Sequence, residues 1–182
     1  MASQRGFTLI ELMVTVTVAA ILISVAIPFF RDVIISSRLN TVSLEIADAL
    51  ALARSESIKR NRTITFCTTD TATNFQCTGG TSWKFWLVKQ NANSTKEEDV
   101  IQQGGIGSLN SQITVTTQNI NKNILNFSTD GLVRNNGALL NEAEITLQAD
   151  DLSKNAKRIL SLSAVGQIAI KKDDKNSTEA NK

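Results

Sequence analysis

The hydrophobic pattern changes along the chain, and its first part is almost continuously apolar. Residues 7–30 carry a single ionisable side chain, that of Glu11. As a helix that rises about 1.5 Å per residue, this stretch reaches roughly 36 Å, and the hydrocarbon core of a bilayer is about 30 Å thick. The pattern therefore predicts a membrane-spanning helix over residues 7–30, with some tilt.

Beyond Pro28, small and apolar residues recur every three or four positions, which is the spacing of one helix face. The apolar stripe consists of Val42, Ile46, Ala49, Leu50, Ala53 and Ser57. The opposite face carries Arg38, Glu45, Asp48, Arg54 and Glu56. Because Pro28 removes a backbone hydrogen bond, we expect a bend near Ile27. The two segments predict one long, bent helix from about Phe7 to about Lys59, whose second half is the spine of a globular head.

From Arg62 onward apolar and polar residues alternate, as in strands with one buried face. The predicted strands are residues 63–67, 83–89, 99–102, 112–117, 124–127, 144–148, 158–163 and 167–171. The predicted turns lie at residues 79–80, 104–105, 130–131, 135–137 and 166. Short connections favour antiparallel pairing. The predicted fold class is α+β, a long bent N-terminal helix packed on an antiparallel β-sheet head.

The strand over residues 83–89 is rich in aromatic side chains. Alternation puts Trp83, Phe85 and Leu87 on one face, which we interpret as core, and Trp86 on the other. The alternative is that Trp86 is exposed and binds a partner protein or nucleic-acid bases.

Composition limits the chemistry that the chain can perform. The chain has 182 residues, a formal net charge of +2 and no His. Without imidazole, His-containing triads and His-bearing zinc sites are excluded, and the charge gives no global attraction to nucleic acid. The acidic groups at 97–99, 150–151 and 173–174 lack the spacing of a calcium loop and are interpreted as solvated turns. We expect no catalytic residue, no metal site and no cofactor.

Cys67 and Cys77 are the two cysteines of the chain, and both follow the apolar segment. Such a pair in an exported domain favours a disulfide. The alternative, a pair of reduced structural thiols, is disfavoured by the polar residues around both positions. We interpret the pair as a disulfide that closes a Thr-rich surface loop.

The residues around Gly6 resemble the N-terminus of a type IV prepilin, a family that includes the pseudopilins of type II secretion. The resemblance rests on Gly6, Phe7, Thr8, Leu9, Ile10 and Glu11. It implies that a membrane-embedded prepilin peptidase cuts after Gly6 and that the new N-terminal Phe7 is methylated. It also implies that Glu11, the fifth mature residue, acts in assembly.

The carboxylate of Glu11 needs a physical explanation at membrane depth, where it costs about 2.5–3.5 kcal/mol on insertion scales. One candidate partner is the α-amino group of Phe7, on the same helix four residues away or on a neighbouring subunit of a filament. The alternative is that the positive end of its own helix stabilises Glu11. The prepilin pattern around Glu11 favours the assembly role.

The second half of the chain resembles the GspH/FimT branch of the pilin family, which includes the FimU-type minor pilins. The resemblance rests on residues 51–61, the strand at 63–67, residues 126–131, and residues 158–163 followed by Gly166. It implies a non-enzymatic minor pilin that primes or supports pilus assembly near the filament tip. The implied partners are other minor and major pilins and the inner-membrane assembly platform. A GspH-like pseudopilin of type II secretion shares these features and is the alternative.

Some FimT-type members of that branch bind DNA, and Lys171 and Lys172 are candidate phosphate contacts. The DNA-binding members share a Gly-Arg-x-Arg motif. At the corresponding place, residues 166–169, this chain reads Gly-Gln-Ile-Ala, and the acidic residues at 173–174 offset the lysines. We therefore expect no direct DNA binding, and a FimT-like DNA-binding pilin is a further alternative.

These patterns divide the chain into a prepilin leader (1–6), a transmembrane and filament-core helix (7–30), a globular head (31–172) and a disordered tail (173–182). The head begins with a helix over residues 31–60. The resemblance implies that the protein is first held in the inner membrane, with its head in the periplasm. It then lies in the pilus fibre at the cell surface.

Overall fold

One helix, α1, extends from Leu9 to Arg60 in the computed structural model, which describes residues 7–80, 83–106, 113–149 and 156–174. The side chain of Thr8 caps its N-terminus by accepting a hydrogen bond from the backbone N–H of Glu11 at 3.3 Å. At the other end, Asn61 adopts a left-handed conformation (φ 51°) that ends the helix. The prediction of one long helix is confirmed. Pro28 lies inside α1, and the bend near Ile27 stays a prediction.

The predicted apolar stripe of α1 is confirmed, because all six of its residues are buried. On the opposite face Arg38 and Asp48 are exposed, but Glu56 is only 8% exposed, so its predicted exposure is wrong. The reason is local: Lys59 lies 3.5 Å from the Glu56 carboxylate, and Arg60 forms an ion pair with it. The hydrogen bond from Arg60 lowers the pKa of Glu56.

The strands form two antiparallel sheets. The six-stranded sheet has the order β3-β2-β1-β5-β6-β7, and the four-stranded sheet has the order β10-β9-β8-β4. The strands of the first sheet are β1 (Ile64–Thr69), β2 (Phe85–Lys89), β3 (Val100–Gly105), β5 (Ile124–Phe127), β6 (Val133–Asn135) and β7 (Ala138–Leu139). Those of the second are β4 (Ile113–Gln118), β8 (Glu142–Ala149), β9 (Ala156–Ser163) and β10 (Ile168–Asp174).

Helix α1 contacts strands of both sheets, and the hydrophobic core lies between the helix and the sheets. In β8 and β9 burial alternates along the strand, as expected for a sheet with one covered face. The α+β prediction, a long helix on an antiparallel head, is therefore confirmed. Strands β6 and β7 were not predicted, because three and two residues are too few for a pattern of alternation.

Strand β1 is buried on both faces, unlike β8 and β9. On one face Phe66 packs against Trp83 and Trp86, with ring centroids 6.1 and 5.9 Å apart. Trp86 is 1% exposed, so the alternative of an exposed Trp86 is wrong. Leu87, from the other face of β2, is also fully buried, because it lies beside Cys67 beneath the loop that follows β1.

Two further predictions are corrected by the strand bounds. The predicted turn at Gly104 and Gly105 is wrong, because both residues lie inside β3. The strand has a glycine at position 104 because Trp86, its register partner, occupies the space of a side chain there. Asp173 and Asp174, assigned to the tail, pair with β9 as the last residues of β10. The remainder of the predicted tail, the acidic pair at 150–151 and the leader at 1–6 lie outside the described residues.

Candidate assembly surface

The first half of α1 projects beyond the head, and we call residues 9–34 the stalk. Among the side chains of α1 that the structure describes, Ile35 is the first that the core buries. The apolar side chains before it whose exposure the structure describes are exposed, for example Leu9 at 77%, Leu22 at 66% and Phe30 at 64%. A contiguous apolar surface of this kind marks a site of contact with another protein or a membrane. The fold therefore separates a core-forming half of α1 from a half that no described part of the chain covers.

Hydroxyl groups within the stalk bond to the helix itself. Thr15 donates to the carbonyl of Leu12 at 2.9 Å, and Thr17 donates to that of Met13 at 2.7 Å. Ser24 bonds in the same way to its own preceding turn, at 2.7 Å. Because these polar groups are satisfied internally, they can enter an apolar environment at low cost.

Glu11 is the one charged side chain in the first turns of the stalk. Its backbone N–H bonds to Thr8, but its carboxylate makes no ion pair or hydrogen bond with any residue that the structure describes. Phe7 is 81% exposed, and Gly6 lies outside the described residues. Cleavage after Gly6, methylation of Phe7 and an assembly contact at Glu11 therefore stay predictions.

The sequence also predicts that residues 7–30 span a membrane. Within the described ranges, no helix combines the length and the apolar character that a membrane span requires.

The predicted disulfide is present, with Cys67 and Cys77 joined and their Cα atoms 5.6 Å apart. Cys67 is fully buried, so the loop covers the outer face of β1 instead of extending into solvent. Side chains fix the loop to the strand: the Thr69 hydroxyl donates to the carbonyl of Asn74 at 2.7 Å. The loop is therefore a structural cover for the first sheet.

Lys89 is a buried residue that the sequence analysis did not single out. Its side chain is inaccessible, and its ammonium donates to the carbonyl of Ser94 at 2.6 Å and to that of Phe75 in the disulfide loop. Burial lowers the pKa of Lys89, and the nearby carboxylate of Asp99 opposes that shift. The burial of Lys89 could have been predicted from strand alternation, because Lys89 lies on the same face of the strand as Leu87.

Three sequence segments that carry the resemblance to the GspH/FimT branch meet near the end of α1. Gly131 and Gly166 both have positive φ, 75° and 71°, in separate turns. A Cβ on Gly131 would lie 2.9 Å from Cδ1 of Ile58, and one on Gly166 would lie 2.7 Å from Cδ of Arg54. We call this contact of α1 with two turns the turn junction. Only glycine fits both the conformation and the space at each turn.

Lys171 and Lys172, the candidate DNA contacts, lie on β10 at the edge of the four-stranded sheet. Both are exposed, but neighbouring strand residues point to opposite faces of a sheet. The two lysines therefore do not form one continuous basic patch.

The acidic cluster at 97–99 forms a short 3-10 turn. Glu98 pairs with Lys96 at 3.0 Å, and Asp99 accepts a hydrogen bond from Gln90 at 2.9 Å. Hydrogen bonds from Ser94 and Gln90 lower the pKa of Asp99. In the described part of the chain, no group of three or more metal-ligating side chains comes together.

Comparisons with known proteins identify the two parts of the chain separately. Residues 1–27 match the prokaryotic N-terminal methylation motif, and residues 43–166 match the family described as type II transport protein GspH. The chain is 45% identical over 47 residues to the type IV major alpha-pilin of Moraxella bovis. That alignment covers 26% of this chain and 30% of the Moraxella pilin.

The fold is similar to that of the type IV minor pilin FimU of Pseudomonas aeruginosa in two crystal forms. The TM-scores are 0.51 and 0.52 at 17% and 16% identity. These alignments cover 73% and 74% of this chain and 92% and 89% of the FimU chains. Because the GspH match extends over more than half of the sequence, the chain belongs to the family described as type II transport protein GspH.

Proposed function

We propose that this protein is a minor type IV pilin, a non-enzymatic structural subunit that primes or supports pilus assembly near the filament tip. The observation that carries the proposal is the uncovered apolar stalk with one carboxylate near its start. Burial of apolar surface is the main driving force of protein association. A stalk of this length and composition suits a filament core in which each helix packs against those of other pilins.

We infer the following steps from the methylation motif and the stalk. Prepilin peptidase cuts after Gly6, and the new N-terminal Phe7 is methylated. Until assembly, the inner membrane holds the stalk and the head lies in the periplasm; this location rests on the match to the methylation motif. The assembly platform then transfers the subunit into the growing fibre, where other pilins replace lipid around the stalk.

Glu11 fixes the axial position of the subunit in this proposal. Its carboxylate has no partner among the described residues, and cleavage creates a positively charged amine at Phe7 of each subunit. Inside an apolar filament core, an unpaired carboxylate is costly, whereas a carboxylate paired with an amine is stabilised. A shift along the filament axis would break that pair, so the pair selects one register.

The test is the substitution Glu11→Ala. We expect leader cleavage to be intact and the amount of the protein in sheared filaments to fall by about a hundredfold or more, since removing one partner of a buried charge pair costs several kcal/mol. Asp48→Ala is the matched control, because Asp48 is an exposed carboxylate on the same helix within the head. Equal incorporation of the two variants, measured by immunoblot of sheared fibres, would contradict the proposal.

A second candidate is a pseudopilin of type II secretion, favoured by the match of residues 43–166 to the GspH family. Such a subunit uses the same stalk in a short periplasmic filament. Deletion of the gene distinguishes the two: loss of surface pili with normal protein secretion supports the minor pilin. Loss of secretion with normal pili supports the pseudopilin.

A further inference from the structure

A groove of about 590 Å³ lies on the head, and no stalk residue lines it. One wall is the turn after β4, and the other is the connection from β7 into β8. We call it the asparagine groove, and it is defined by Asn119, Asn121, Leu139, Leu140, Asn141 and Glu142.

The polar groups of the asparagine groove are available to a ligand. The side chains of Asn121, Asn141 and Glu142 make no hydrogen bond or ion pair within the part of the chain that the structure describes. Asn119 donates its amide to the carbonyl of Glu142 at 3.1 Å, which leaves its own carbonyl oxygen as an acceptor. These carboxamide and carboxylate groups therefore lie close together and retain hydrogen-bonding capacity that the fold does not use.

The backbone of this wall is held in an unusual conformation. Asn119, Lys122 and Asn123 have φ values of 60°, 52° and 51°, in the left-handed region, which asparagine adopts more readily than most other residues. The side chain of Asn123 fixes the loop, because it donates to Gly80 at 2.7 Å and accepts from Thr117 at 2.9 Å. The groove is therefore preformed.

We propose that the asparagine groove binds a neutral saccharide. Each carboxamide offers a donor and an acceptor, and each sugar hydroxyl does the same, so the two are matched. Leu139, which is 49% exposed, supplies an apolar surface for the C–H face of a sugar ring, whereas Leu140 beside it belongs to the core.

The charge of the groove selects against other ligand classes. Glu142 is its one charged lining residue, so phosphates and other anions are repelled. Calcium takes six to eight oxygen ligands, often from more than one carboxylate. One carboxylate is too few for a protein-built calcium site of that kind, and calcium is therefore tested as a separate outcome.

The experiment uses the full chain in micelles of a detergent that has no sugar headgroup. The protein is labelled with ¹⁵N-asparagine, and maltose, cellobiose and N,N′-diacetylchitobiose are titrated separately while the side-chain amide signals are followed by NMR. We expect at least one disaccharide to shift the signals of Asn119, Asn121 and Asn141 saturably. Loss of two neutral hydrogen bonds in Asn121→Ala/Asn141→Ala should weaken binding about tenfold or more.

Two further variants make the result specific. Asn93→Ala removes an exposed asparagine outside the groove and should leave binding unchanged. Leu139→Ala removes an exposed side chain, so it should weaken binding without disturbing the core. Absence of shifts with all three sugars, equal binding by the double variant and Asn93→Ala, or shifts with calcium chloride alone would each overturn the proposal. None of these results depends on filament incorporation, which Glu11→Ala tests.

Discussion

At the residue scale, Lys89 couples two loops through a buried ammonium. It bonds to carbonyls on the disulfide loop and on the loop after β2. Folding lowers its pKa from the ordinary value of 10.5, because burial disfavours the charged form. Between the lowered value and 10.5 the unfolded chain binds more protons than the folded protein, so stability rises with pH across that interval.

The corresponding prediction concerns the pH dependence of unfolding. In Lys89→Met, the rise in the free energy of unfolding at alkaline pH should be smaller than in the wild type. Lys84→Met is the control, because Lys84 is an exposed lysine near the same strand. Guanidinium unfolding at several alkaline pH values measures the slope, and identical slopes for Lys89→Met and the wild type would contradict the assignment.

Gly104 gives a second prediction at this scale. A Cβ at this position would overlap the indole ring of Trp86, which is 1% exposed, and would lie 2.5 Å from a carboxylate oxygen of Glu45. We expect Gly104→Ala to lower the free energy of unfolding by about 1–3 kcal/mol, the usual cost of overpacking. Gln102→Ala, on the same strand, should change it by much less. Similar losses for the two variants in chemical denaturation would mean that Trp86 adapts.

At the element scale, the disulfide loop gives the first sheet its outer cover. Covering β1 buries Thr65, Cys67 and Thr69, which would otherwise face solvent. Replacement of both cysteines by alanine should lower the free energy of unfolding by about 2.5–3 kcal/mol, the chain-entropy value for a loop of this length. Thermal unfolding with and without reductant measures this. The double variant should match the reduced wild type, and an unchanged melting temperature would contradict the structural role.

Most features of helix α1 could be predicted from its sequence without knowledge of the residues that pack around it. Its length, its apolar stripe and the prepilin motif were all predicted from the sequence. The exposure of Glu56 was not, because the prediction considered helical position alone and not the ion pairs with Lys59 and Arg60. The head was predicted to begin at residue 31, whereas the first described core residue of α1 is Ile35, since apolar residues continue on both sides of that boundary.

At the scale of the whole molecule, the turn junction joins both sheets to the helix. The backbone N–H of Val133 in the first sheet donates to Ala164, in the β9–β10 turn of the second, at 2.8 Å. Gly166 and Gly131 allow those turns to approach α1 closely. The segments that resemble the GspH/FimT branch are thus far apart in sequence but form one packing unit.

A comparison of two glycines with similar backbone conformations distinguishes the effect of close packing at the turn junction from the effect of backbone strain alone. Gly166 has φ 71° and Arg54 beside it, whereas Gly137 has φ 85° and nothing within 4 Å of an added Cβ. Both alanine variants carry about 1 kcal/mol or more of backbone strain, and Gly166→Ala also disturbs Arg54. We expect a lower melting temperature for Gly166→Ala than for Gly137→Ala; the reverse order would argue against the junction.

The sequence by itself determined the helix, most of the strands, the cysteine pairing and the family, because these depend on local periodicity and on motifs. The tertiary structure decided what covers each face. Alternation says that Trp86 and Leu87 point in opposite directions, but only packing of α1 on one side and the disulfide loop on the other buries both. The same holds for Lys89 and for the asparagine groove, whose residues lie on separate turns. Periodicity fixes the direction of a side chain, and long-range contacts alone fix its surroundings.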